Sequence, residues 1–173
     1  MRNILLAVAF LVISTSATTY AQTLKSKQAD FSAVDMNGSV VSLSALSGKV
    51  VVVNLWFINC PNCLAEIKAL NALVEEYKNN PNVVFIAPAA SKKYELETFL
   101  KKNPFSFRVL PDAAMIIVGK FGTPDKNGNI NVPFPMHFVI DRDGIVVVKE
   151  QGQKGIVAVR AELAKQFPVK AKP

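Results

Sequence analysis

Cysteine is almost missing from this 173-residue chain: there are two, at Cys60 and Cys63, with one histidine and one tryptophan. A scaffold held by several disulfides is therefore excluded. A four-ligand zinc site built from C-x-x-C is a minor reading, since two more Cys or His ligands would be needed and His137 is the one on offer. Acidic residues are also outnumbered, 13 against 20 lysines and arginines, for a formal net charge of +7. The pairs Lys92-Lys93 and Lys101-Lys102 and the tail Lys165, Lys170 and Lys172 are dispersed. No Gly-rich phosphate loop and no aromatic-interleaved basic stripe accompanies them. Nucleic acid is not an expected partner, and the positive charge reads as a solvated face, with acidic partners or an anionic membrane as the weaker reading. Internal repeats and low-complexity tracts are absent.

The longest apolar run, Ile4 to Ile13, covers ten residues and is too short to span a bilayer, for which about twenty are needed. Arg2 precedes it, and Ser, Thr and Ala lead up to Ala21. Residues 1–21 thus read as a secretory signal peptide, cleaved after Ala21, and a retained anchor is the weaker reading. No cysteine stands directly after the apolar core, which excludes a lipid anchor of the lipobox type. What remains, residues 22–173 with a core at about 28–168, has the size of one domain in an extracytoplasmic space such as the periplasm.

Both cysteines fall where a strand gives way to a helix. Val50 to Val53 is a run apolar enough for burial on both faces, extended by Asn54-Leu55-Trp56-Phe57. After Cys63, Leu64, Ile67, Leu70, Leu73, Val74 and Tyr77 recur at helical spacing. Pro61 suits the first helical position, which puts Cys60 at or just before the helix N-terminus. The positive end of the helix favours a thiolate there, and Cys63, one turn in, is expected to be less exposed. Cys60 is then the attacking sulfur and Cys63 the one that resolves the mixed disulfide. A structural staple and half of a metal site are the alternatives, and a staple would close only a short loop.

Elsewhere the pattern predicts strands at Asn82 to Ala87, Phe105 to Leu110, Met136 to Ile140 and Ile145 to Glu150. Helices are expected at Ser91 to Lys102, Ala113 to Phe121 and Lys154 to Phe167. The Val50 and Val83 strands should pair in parallel through a crossover, and Asp141-Arg142-Asp143-Gly144 should turn an antiparallel hairpin. Gly122 to Asn131 reads as a flexible loop near the substrate face or a plain surface turn.

These segments resemble the thioredoxin-like proteins of bacterial envelopes, the TlpA, ResA and DsbE group of thiol-disulfide oxidoreductases. The resemblance runs through Ala29-Asp30-Phe31 as an opening strand, Asp35-Met36-Asn37-Gly38 as a hairpin turn, the stretch from Val41 to Trp56 leading into Cys60-Pro61-Asn62-Cys63, and Pro133-Phe134-Pro135-Met136-His137-Phe138-Val139-Ile140 followed by the Asp141 to Gly144 turn. It implies an α/β, thioredoxin-like fold: a central mixed sheet flanked by helices, with an N-terminal hairpin extension. It implies, further, that Pro135 is the group's cis-proline, where the substrate chain adds as a short strand, and that Phe134 before it tunes reactivity. Trp56 matches the first Trp of the motif and, with Pro61, Asn62 and Phe134, would border the substrate, although packing is its main expected role.

Glu66 matches the acid that ResA-like members carry one turn beyond the second cysteine. Near the apolar stripe, desolvation would favour its protonated form and let it exchange a proton with Cys63. The plainer reading is an exposed helix glutamate. Asn54 stands where thioredoxin has a buried Asp, cannot relay a proton, and also reads as a buried amide satisfied by neighbouring backbone. Two departures matter: Asn59 replaces a Trp before Cys60, and Lys68 replaces a helix Pro, which leaves the helix straighter. No cofactor is implied. The implied partners are protein thiols and disulfides and an electron donor in the membrane, with the chain acting as a monomer and as a reductant; oxidant or isomerase is the competing direction. Two other functions compete: a copper-binding module of the Sco kind using Cys60, Cys63 and His137, and a peroxidase of the peroxiredoxin kind, whose Thr three residues before the reactive Cys is Phe57 here.

Overall fold

The structure, a computed structural model, describes residues 25–168. The proposed signal peptide lies outside the described residues.

Five strands form the central sheet: β3 (Val50–Leu55), β4 (Val83–Pro88), β5 (Arg108–Leu110), β8 (Met136–Ile140) and β9 (Val146–Gln151), in the order β5-β4-β3-β8-β9. β3 pairs with β4 in parallel, Val50 opposite Val83, while β8 and β9 run antiparallel to their neighbours. Every residue of β3 is buried, the polar Asn54 included, as in a strand covered on both faces.

Strand alternation divides the core. Val50, Val52 and Trp56 face α1 (Pro61–Tyr77), α2 (Lys93–Lys102) and α4 (Gly152–Gln166). Val51, Val53 and Leu55 face the other layer, made by Phe31, Val41 and the short α3 (Ala114–Ile116), which continues as a π-helix over Ile117–Phe121. The N-terminal extension is a hairpin of β1 (Ser32–Val34) and β2 (Val40–Ser42), turned at Asp35 to Gly38. Asp35 accepts from the backbone N–H groups of Asn37 and Ser39 and pairs with Arg108 of β5 at 2.5 Å, which ties the hairpin to the sheet.

Several boundaries differ from the sequence reading, each for a visible reason. α2 starts at Lys93 and not at Ser91, because the buried Ser91 hydroxyl accepts the Ile58 N–H and its carbonyl the Asp112 N–H. β5 begins at Arg108 because Asn71 of α1 holds the segment before it, bonding the Pro104 carbonyl and the Ser106 N–H. α4 begins at Gly152, whose φ of +63° lets β9 turn straight into the helix. The stretch read as a flexible loop contains a small hairpin, β6 (Thr123–Pro124) with β7 (Ile130–Asn131). Asp125 shapes its turn by accepting the N–H groups of Asn127 and Asn129.

Candidate active site

β3 ends against α1 through a tight connection carrying Phe57, Ile58 and Asn59. Cys60 is the N-cap of α1 and Pro61 its first residue, as the spacing predicts, and the Cys60 sulfur accepts the Cys63 N–H at 3.2 Å. Cys60 and Cys63 are joined as a disulfide, with an S–S distance of 2.05 Å. Both are buried, at 5% and 2% exposure, while Pro61 and Asn62 between them are exposed. A sulfur at a helix N-terminus faces amides with partial positive charge, which stabilise the thiolate formed when this disulfide opens.

Behind the cysteines α1 buries Cys63, Glu66, Leu70 and Leu73, one stripe at spacings of three and four. Glu66 is thus a stripe residue, 4% exposed, and the exposed-glutamate reading is set aside. Its Oε2 lies 3.0 Å from Nε2 of His137, which is completely buried on β8. The other ring nitrogen, Nδ1, lies 3.3 Å from the side-chain nitrogen of Asn54. Asn54 and His137 are direct partners in the antiparallel register of β3 and β8, so their side chains leave the sheet on the same face, toward α1 and α4. Asn54 therefore bonds a side chain where backbone partners were expected.

The peptide bond between Phe134 and Pro135 is cis. Pro135 is buried, and its carbonyl accepts the Gly152 N–H at 3.1 Å. Phe134 is half-buried, its ring edge-on to Phe57 with centroids 5.1 Å apart. Phe57 so fills with an aromatic ring the position that a peroxiredoxin-like site would give to a hydroxyl. Asn62, Glu66, Phe134, Pro135, Glu150 and Lys154 line one groove of about 550 Å³ beside the cysteine pair.

Trp56 corrects one expectation. At 1% exposure it offers no surface to a substrate, and it packs instead against Phe99 and Phe105, with centroids 5.9 and 5.3 Å away. His137, in turn, was visible in the sequence only as a possible copper ligand. Both of its ring nitrogens lie within hydrogen-bond distance of a neighbour, Asn54 and Glu66.

The model of the family described as AhpC/TSA matches residues 24–149. The chain belongs to the AhpC/TSA family. Among curated proteins, a thiol-disulfide oxidoreductase ResA of Bacillus cereus is 28% identical over 139 residues, 80% of this chain and 76% of that protein. Among solved structures, a thioredoxin-family thiol:disulfide interchange protein of Chlorobium tepidum TLS superposes with a TM-score of 0.67 at 22% identity, covering 82% of this chain and 95% of that one. A secreted Mycobacterium tuberculosis disulfide oxidoreductase homologous to E. coli DsbE gives a TM-score of 0.60 at 22% identity, covering 78% and 95%. At these identities the structural likeness establishes the thioredoxin-like fold. Within that fold this AhpC/TSA member carries a C-x-x-C disulfide at a helix N-terminus, the arrangement of a thiol-disulfide oxidoreductase.

Proposed function

We propose that this thiol-disulfide oxidoreductase works as a reductase of protein disulfides in the cell envelope. The observation that carries the reading is Cys60 at the N-cap of α1, joined to Cys63 and flanked by the exposed Pro61 and Asn62. Cys60 attacks a substrate disulfide as thiolate, and Cys63 breaks the mixed disulfide that forms. Glu66 takes the proton of Cys63. The substrate chain lies in the groove along Phe134 and Pro135, with Asn62 at its mouth.

The signal-peptide pattern of residues 1–21 supports an extracytoplasmic site of action, and the secreted mycobacterial neighbour is in keeping with it. Among the described residues no helix is long and apolar enough to cross a membrane. Electrons for each cycle then come from a separate donor in the membrane that reduces the Cys60 to Cys63 disulfide.

The test is the reduction potential of the pair, measured by equilibrating the protein with glutathione or dithiothreitol. A reductase gives a value near thioredoxin's, about −270 mV. A value near that of a strong oxidant, about −120 mV, overturns the direction proposed and makes the chain an oxidant or isomerase.

A further inference from the structure

The sulfur chemistry uses Glu66 and leaves His137 without a task, although His137 is the chain's one histidine and is completely buried. A buried imidazole needs partners on both nitrogens, and the partners define its state. With the Asn54 nitrogen facing Nδ1 at 3.3 Å as the donor, Nδ1 accepts and the ring proton belongs on Nε2. From there it is donated to Oε2 of Glu66. Asn54 is itself held in β3, opposite His137 in the ladder, so the sheet register brings the amide and the ring together.

The site is also shaped for the ring. Gly155 of α4 lies over it, and any side chain there would overlap the ring and stand 2.9 Å from the Glu150 carbonyl. Glu66 Oε1 points the other way, toward Gly152, where a Cβ would be 3.7 Å from it, and Glu66 lines the groove beside the cysteines. One carboxylate oxygen is therefore tethered and the other is left on the groove side.

We infer that His137 is a positioning residue for disulfide exchange: a neutral imidazole, fixed as the Nε2–H tautomer by Asn54, that holds Glu66 as a carboxylate ready to accept the proton of Cys63. The inference rests on the proton role of Glu66 proposed above. In the resolving step Cys63 gives its thiol proton to Glu66, and its sulfur forms the bond to Cys60. The bond between Cys60 and the substrate sulfur breaks, and the electron pair leaves with the substrate as thiolate. Enzyme dithiol is oxidised and substrate disulfide reduced. The tethering N–H bond is charge-assisted when Glu66 is a carboxylate, so its loss removes support from that form. The charged and titratable groups around the pair are Cys60 and Cys63 from α1, Glu150 from β9 and Lys154 from α4, while β3 contributes the neutral Asn54.

The experiment is the pH profile of mixed-disulfide resolution for His137→Phe, which keeps a ring without the donor, and His137→Gln, which keeps an N–H within reach of Glu66. His137→Phe is expected to slow resolution at the acid end and to move the acid limb toward higher pH by about one unit, the worth of one hydrogen bond to a charged group. His137→Gln should restore most of the wild-type profile, and adding Glu66→Gln to His137→Phe should cost nothing beyond Glu66→Gln alone. Wild-type profiles for both His137 variants, or a move of the acid limb toward higher pH that persists in the Glu66→Gln background, would overturn the inference. If Glu66→Gln itself keeps the wild-type profile, the proton role of Glu66 fails first and takes this inference with it. Should His137→Phe not fold, imidazole nitrogen NMR on the wild-type protein decides: the Nε2–H tautomer supports the inference, and the Nδ1–H tautomer or a doubly protonated ring at neutral pH overturns it.

Discussion

Gly155 and His137 are packed so closely across the α4 to β8 contact that a methyl group on Gly155 would occupy the space of the imidazole. Its φ is not in the left-handed region, so the glycine is there for space and not for backbone freedom. Gly155→Ala should therefore push the ring, or α4, out of place and destabilise the domain by about 2 kcal/mol, in the range for overpacked cores. Denaturant unfolding checks this. An alanine that helix propensity makes neutral or stabilising, as it would at an exposed helix site, would show that α4 is free to move away from the sheet.

Cys60 and Cys63 are expected to behave unequally. Cys63→Ser leaves the attacking sulfur without its resolver and should accumulate mixed disulfides with substrate proteins, seen as reducible adducts on non-reducing gels. Cys60→Ser removes the attacker and should trap little. Equal trapping by the two variants would contradict the assignment of roles made from the helix N-terminus.

Glu66→Gln is close to an isosteric change, and its amide oxygen can still accept the His137 N–H, so the fold should hold while the proton acceptor is lost. The rate of mixed-disulfide resolution should fall by about a hundredfold at neutral pH, the low end for general acid–base catalysis, and its dependence on pH should flatten. Stopped-flow measurement of a preformed mixed disulfide tests both. A full rate with an unchanged profile would make Glu66 a packing residue.

How much of this site was legible beforehand depended on the distance over which each relationship acts. Cys60 at the N-cap, Pro61 after it and Glu66 on the buried stripe all follow from spacings of a few residues, and they stand where the pattern predicts. So do β3, β8 and the parallel pairing of β3 with β4, because runs such as Val50 to Val53 leave little choice of burial. The Asn54 to His137 bond was not legible, since it joins positions 83 apart and depends on a strand register that no local pattern encodes. One signal did exist: His137 shares strand parity with Val139, whose burial against α4 puts both on the face of α1 and α4. The π-helix after α3 and the early start of α4 were hidden for another reason, since both depend on packing and on one positive φ, and helical periodicity does not register either.

Acid should loosen the N-terminal hairpin. Asp35 is buried, which raises the pKa of its carboxyl, but the Arg108 side chain and the N–H groups of Ser39 and Asn37 outweigh burial and hold it below the usual carboxylate range. A depressed folded value contributes stability that is complete above the unfolded value, about 3.9, and is lost as pH falls through the folded one. Asp35→Asn should lower stability at neutral pH by about 2 kcal/mol, the worth of hydrogen bonds to a charged group, and should flatten its fall in acid. Unfolding curves from neutral to acid pH measure both, and parallel curves for the two proteins would remove Asp35 as the cause.

Phe134 touches two things at once, and its variants can separate them. Its ring meets Phe57 in the connection that carries Cys60, and it also lines the groove beside Pro135, which Phe57 does not. If the ring meets the substrate, Phe134→Ala should raise KM for a protein disulfide by about fivefold, equivalent to about 1 kcal/mol of aromatic contact, with a smaller change in kcat. Small disulfides that do not reach the groove should be reduced at the wild-type rate. Phe57→Ala breaks the same aromatic pair from the other side and leaves the groove lining in place, so it should lower stability without raising KM. Should Phe57→Ala raise KM as much as Phe134→Ala, the ring of Phe134 acts by bracing the Cys60 connection, and the groove must recognise its substrate through other residues, with Asn62 and Lys154 the next to be changed.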